Sequence, residues 1–138
     1  MISAKDRELH EKACEALQQA YAPYSKFRVG AAVRTRAENV FLGCNVENAA
    51  YPLGVCAERN AIAAAVVAEG AEMRIAAIAI ATRSGNTQTS GSCPCGGCRQ
   101  VIKEFSAQAQ VVYSADGDKL IKRSIDELLP DSFHAGHL

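Results

Sequence analysis

Residues Ile75 to Thr82 form a continuous apolar run of strand length. A strand that is apolar at every position, with no polar alternation, is one covered on both faces. The rest of the chain has to supply that cover, and its patterns do so. Ser3 followed by Asp6 predicts a capping box, and Leu9, Ala13, Leu17 and Ala20 then recur at helical spacing, so a first helix is expected from about residue 4 to 20. Tyr21-Ala22-Pro23-Tyr24-Ser25 breaks it. Phe27 to Val33 and Val40 to Val46 are rich in strand formers, and the polar segment Thr35 to Asn39 reads as the hairpin connection between them. Asn45 to Gly54 has loop composition. Cys56 to Glu69 is Ala-rich, lacks Gly and Pro, and stops at Gly70, the pattern of a buried helix with a glycine cap.

Ser84 to Pro94 is a polar loop, followed by a helix over Cys98 to Phe105 and a strand over Gln110 to Ser114. Ala115-Asp116-Gly117-Asp118 is a turn, and Lys119 to Lys122 a short edge strand. Ser124 with Glu127 predicts a second capping box ahead of Leu128, Leu129 and the terminator Pro130. This alternation implies a three-layer α/β/α fold, a mixed five-stranded sheet with helices on both faces. No repeat or linker divides the chain, so residues 1–138 are read as a single domain. The tail, residues 131–138, is expected to be ordered only when docked on something, such as a neighbouring subunit.

Fifteen Lys and Arg balance fifteen Asp and Glu, which leaves no electrostatic footprint for gripping nucleic acid. The longest apolar stretch, Ala61 to Ala68, is far short of the roughly 18–20 residues of a membrane span. No apolar core follows Met1-Ile2-Ser3-Ala4-Lys5-Asp6, so no signal peptide is read there. A cytoplasmic location is expected. In such a reducing compartment, six cysteines are buried thiols, metal ligands or catalytic groups rather than a disulfide framework. Cys14, Cys44 and Cys56 stand apart, whereas Cys93, Cys95 and Cys98 crowd together. Cys14 and Cys44 are read as packing residues. His10, His134 and His137 are read as solvated.

Pro94-Cys95-Gly96-Gly97-Cys98 is a C-x-x-C on a Pro/Gly turn that opens a helix. Two thiolates so spaced can chelate one ion, and the helix amino end lowers their pKa. By itself the pair reads equally as a redox couple or as half of a zinc site. Cys56-Ala57-Glu58 starts the other central helix. If Cys56 occupies its first, irregular position, a third thiolate completes a Cys₃ site whose fourth corner stays open for water, the arrangement of catalytic zinc. Glu58 beside that corner would shuttle protons; the plain alternative is a favourable acid in a helix's first turn. A fourth ligand from Cys93 would close the site and make it structural, but ligation on both sides of Pro94 would strain the turn. Three thiolates on a dication leave net negative charge, so Arg59, donating hydrogen bonds to the sulfurs, is expected to offset it.

Cys-Ala-Glu followed 39 positions later by Pro-Cys-x-x-Cys is similar to the signature of zinc deaminases, including their Cys₃ variant. Beyond these motifs the chain resembles the small homotetrameric cytidine deaminases over nearly its whole length. The matching segments run from Ala22 to Ala32, from Gly43 to Tyr51, from Cys56 to Arg59 and from Pro94 to Gln100, with Leu128-Leu129-Pro130 and Phe133 at the carboxyl end. The resemblance implies a cytidine-deaminase-like fold and hydrolytic deamination of cytidine and 2′-deoxycytidine in pyrimidine salvage. It implies one zinc per subunit on Cys56, Cys95 and Cys98, with Glu58 as proton shuttle. Asn45 and Glu47 would hold the ribose hydroxyls, and Phe27 and Ala57 would line the substrate site. Tyr51 and Phe133 match aromatic residues that help build a neighbouring subunit's pocket, although an aromatic in such a sequence is as readily core.

Three competing classes remain at this stage. A structural zinc module predicts four protein ligands and gives Glu58 no task. A polynucleotide cytosine deaminase would need a basic groove. A related aminohydrolase would act on another cytosine-bearing compound, such as a nucleoside antibiotic.

Overall fold

The apolar run folds as β3 (Ile75–Ser84), the middle strand of the sheet. The computed structural model describes residues 1–85, 87–88 and 91–138. Around β3 lie α1 (Ala4–Leu17), β1 (Phe27–Thr35), β2 (Val40–Cys44), α2 (Ala57–Glu69), β4 (Thr87–Gln88), α3 (Gly96–Phe105), β5 (Gln110–Asp116), β6 (Lys119–Ser124) and α4 (Ile125–Leu128). The main strand order is β2-β1-β3-β5-β6, and the two-residue β4 pairs with the end of β3. β1 is antiparallel to β2 and β3, β5 is parallel to β3, and β6 is antiparallel to β5. The sheet is therefore mixed and, apart from β4, five-stranded. β4 interrupts the polar loop read at Ser84 to Pro94; residues 86, 89 and 90 of that loop lie outside the described residues.

Strand alternation sorts the core into two layers. Ala31, Val33, Ile78, Ile80, Val111 and Tyr113 face α2, α3 and α4. Ala32, Ala77, Ala79, Ala81 and Val112 face Leu9, Ala13 and Leu17 of α1. Fully burying an Ile or Leu contributes on the order of 1.5–3 kcal/mol, so the isoleucine-rich first layer holds most of the apolar free energy. The α1 layer is built of alanines, and α1 sits close. A Cβ added at Gly30 would stand 2.0 Å from the Ala13 carbonyl oxygen, and one at Gly43 would stand 2.3 Å from the Ala61 nitrogen of α2. These two glycines set the approach of one helix on each face.

Both predicted capping boxes form, Ser3 with Asp6 on α1 and Ser124 with Glu127 on α4. α1 stops at Leu17 rather than residue 20, because the amides of Gln18, Gln19 and Ala20 close tighter bonds to Glu15, Ala16 and Leu17. β2 stops at Cys44 rather than Val46, because Asn45 turns its side chain back onto β1. α3 begins at Gly96, before Cys98, so the C-x-x-C lies across the helix start. Among the described residues no helix is long and apolar enough to cross a membrane.

Candidate active site

The β3–β5 ladder ends at the pair Ala79 and Val112. Past it the strands part, and Ser92 fills the opening: its hydroxyl donates to the Ile80 carbonyl at 3.0 Å and accepts the Ser114 N–H at 2.8 Å. Ligands of open α/β sheets bind outside the carboxyl ends of parallel strands. Here the amino ends of α2 and α3 converge on that end, each opened by a cysteine. Cys56 is the N-cap of α2 and makes no side-chain cap bond; Cys95 is the N-cap of α3, and its sulfur accepts the Cys98 N–H at 3.5 Å.

The sulfurs of Cys56, Cys95 and Cys98 lie within 4.8 Å of one another. Thiolates each about 2.3 Å from one tetrahedral ion stand about 3.8 Å apart, so the trio fits zinc with little adjustment. Cys93 is outside the cluster; its sulfur accepts a hydrogen bond from Arg99 at 2.9 Å. The protein thus offers three ligands at this centre. Burial pushes the Cys56 and Cys98 thiols up. Burial opposes ionisation of Cys95 too, but the N–H groups of Cys98 and Gly97 outweigh it and bring that thiol down.

Glu58, in the first turn of α2, is 5 % exposed. Burial raises its pKa, partly offset by its own backbone N–H and by the Cys98 thiol beside it. A carboxyl with raised proton affinity is suited both to take and to return a proton.

Cys56, Cys93, Cys95 and Glu58 line a cavity of about 340 Å³, and Phe27, Asn45, Glu47 and Ala57 also line it. Asn45 is locked by both ends of its amide, donating to the Phe27 carbonyl at 2.9 Å and accepting the Val29 N–H at 2.8 Å. Glu47 accepts from the Tyr24 and Ser25 N–H groups at 3.0 and 3.2 Å and from the Ser25 hydroxyl. The Ser25 hydroxyl is the main reason its carboxyl lies below the usual range. Beyond Glu47 a second cavity of about 310 Å³ is walled by Tyr24 and Tyr51.

Of the residues read from sequence, Cys56, Ala57, Glu58, Cys95, Phe27, Asn45 and Glu47 meet at the 340 Å³ cavity, and Cys98 completes the sulfur cluster. Tyr51 and Phe133 do not line it: they are 75 % and 57 % exposed, and Phe133 packs on His137. Arg59 departs from expectation. It is exposed beside Val55, Asn60 and Phe105, and among the described residues no hydrogen bond joins it to the three sulfurs. One residue past Glu58 the helix has turned about 100°, away from the cluster. Cys14 is exposed rather than packed, and His10, half-buried, contacts it at 3.8 Å. Sequence reasoning overlooked Ser92, whose partners Ile80 and Ser114 are distant in the chain, and Arg99, which joins the nearby Cys93 and Pro94 to the distant Leu128; the only signal was their place near the C-x-x-C.

Three clustered thiols and a buried acid beside a cavity, on an α/β sheet, have the chemistry of a zinc-site hydrolase. The family model described as the cytidine and deoxycytidylate deaminase zinc-binding region matches residues 3–115. The cytidine deaminase of Sporosarcina psychrophila is 40 % identical over 121 residues, covering 86 % of this chain and 84 % of its own. The crystal structure of the cytidine deaminase from Burkholderia pseudomallei superposes with a TM-score of 0.81 at 42 % identity, over 92 % of this chain and 98 % of that one. The Mycobacterium tuberculosis cytidine deaminase gives 0.80 at 34 % identity, over 96 % and 99 %. The chain belongs to the cytidine deaminase family.

Proposed function

We propose that this enzyme hydrolyses cytidine and 2′-deoxycytidine to uridine and 2′-deoxyuridine, releasing ammonia, with Cys56, Cys95 and Cys98 as the ligands of one zinc ion per subunit. The observation that carries the site assignment is the buried Glu58 carboxyl beside three clustered sulfurs, at a cavity that Asn45 and Glu47 also line. Zinc in this site supplies a water whose pKa is lowered toward ~7.

Glu58 takes the proton of the attacking water and places it on ring N3 while the water oxygen adds to C4. Glu58 then relays the second proton to the amino group, which leaves as ammonia as the C4 carbonyl forms. Water and nucleoside are consumed, and the carboxyl ends as it began. Asn45 and Glu47 hold the ribose hydroxyls, and Phe27 packs against the nucleoside. Among the described residues neither cavity's lining contains a Lys or Arg, which favours an uncharged nucleoside over a 5′-phosphate.

The same reading makes the enzyme a cytoplasmic homotetramer of pyrimidine salvage, with residues 1–138 as one domain. Val46, Tyr51 and Leu53 near the cavities are 44 %, 75 % and 67 % exposed, and an apolar groove lies along α2 and α3 at Val66, Val101 and Phe105. Faces of that kind are covered by association. Tyr51 and Phe133 then complete a neighbour's pocket. Cytidine loss followed by ultraviolet absorbance, with and without a zinc chelator, tests the activity: turnover that chelation abolishes supports it, and chelator-insensitive turnover or none overturns it. Dilution below the assembly constant is expected to lower specific activity; a fully active monomer in sedimentation would refute the shared pocket.

A further inference from the structure

Arg99 joins two segments with its guanidinium, the turn before α3 and the end of α4. Nε donates to the Pro94 carbonyl at 2.9 Å, Nη1 to the Leu128 carbonyl at 2.8 Å, and Nη2 to the Cys93 sulfur at 2.9 Å. Its backbone N–H also takes the Cys95 carbonyl at 3.0 Å. The peptides on both sides of Cys95 are therefore held by one residue. Cys95 is itself exposed, so the direction of its sulfur follows from how those two carbonyls are fixed together with the Cys98 N–H that the sulfur accepts at 3.5 Å. Leu128, at the end of α4, is the outer anchor, and the next residue, Gln100, extends it by donating to the Phe133 carbonyl at 2.9 Å.

We propose that Arg99 is the positioning residue of the metal turn: it aims the Cys95 sulfur and makes the carboxyl-terminal segment part of the support of the metal centre. This rests on the three-sulfur ligand set proposed above. A planar fork reaches three acceptors in three directions at once, whereas a lysine ammonium in that place reaches one, so Arg99→Lys keeps the charge and loses the clamp. Partners that orient metal ligands typically matter by 10–100-fold in affinity.

The test is chelator-driven zinc release from the full-length enzyme, with melting of the loaded and metal-free forms alongside. Arg99→Lys is expected to release zinc about 10–100-fold faster, while the cytidine KM in excess zinc stays within about twofold of wild type. Cys93→Ala, which removes one acceptor at an exposed position, is expected to give a smaller acceleration and serves if Arg99→Lys does not fold. Wild-type release rates in the variants overturn the proposal, as does an equal loss of melting temperature in loaded and metal-free protein with unchanged zinc affinity. Wild-type enzyme that binds no zinc would overturn the ligand set together with this role.

Discussion

The Cys98 N–H points at the Cys95 sulfur across 3.5 Å, so both thiols of the C-x-x-C turn belong to a single helix start. The same turn holds one thiol brought down by neighbouring N–H groups and one pushed up by burial. At neutral pH the metal-free protein accordingly keeps the raised thiols, Cys56 and Cys98, protonated. Zinc takes thiolates, so its binding must expel those protons and its affinity must rise with pH. Calorimetry of zinc binding in two buffers of different ionisation enthalpy reads the proton count; a heat independent of the buffer would contradict this charge state.

Replacing Glu58 by Gln keeps the shape of the site and removes its proton carrier. Zinc content is expected to stay at the wild-type level, while kcat falls by about 10²–10⁴-fold. Elemental analysis beside a steady-state assay separates the two effects. A variant that keeps most of its turnover would show that the proton moves by another route.

Gly43 lets α2 rest on β2, and Cys56, at the start of that helix, precedes Glu58 in its first turn. Gly43→Ala is expected to cost about 1–3 kcal/mol of stability and to lower activity, because the displaced helix carries the acid. Gly30→Ala, with its close contact to α1 on the opposite face, is expected to cost as much stability with a smaller loss of turnover in the remaining folded enzyme. Denaturant titration paired with activity per folded molecule distinguishes them.

Asp6 caps α1 and also meets Lys122 of β6 at 2.9 Å, with only 2 % of its surface exposed. Burial alone would raise its pKa, but the bonds from Lys122 and Ser3 outweigh it and lower the value. A carboxyl depressed in the folded state stabilises above its unfolded pKa of about 3.9, and that contribution is lost as pH falls through the lower folded value. Asp6→Asn is expected to cost about 1.5–3 kcal/mol at pH 7, with the difference from wild type closing below roughly pH 4. Unfolding curves across acid pH measure it; a gap that persists undiminished at low pH would place the effect in packing instead.

Much of the fold was legible because its signals are local. The unbroken apolar run became the central strand, and Ser3–Asp6 and Ser124–Glu127 closed as capping boxes, since each needs only residues within one helical turn. The element ends were harder to read. α1 and β2 stopped early where Ala20 and Asn45 found partners that periodicity does not encode.

At the site, the C-x-x-C and the Cys-Ala-Glu at a second helix start raised the three cysteines and Glu58 as candidates, the resemblance to zinc deaminases supplied their roles, and the fold brings the three sulfurs within 4.8 Å of one another. Arg59 shows where that reasoning ended. The Arg99 side chain, by contrast, meets the Leu128 carbonyl, which only the packing of α3 against α4 brings within reach.

Local signals were enough for the residue types, for most of the helices and strands and for the two helix starts that carry cysteine. Long-range packing was needed to show that those starts meet where β3 and β5 part around Ser92, how closely α1 and α2 sit on their glycines, and that Tyr51 and Phe133 stay out of the cavity beside Glu58. The division is physical: propensity, capping and spacing act over a few residues, whereas these contacts join segments tens of residues apart, and their energies exist only once the sheet has brought them together.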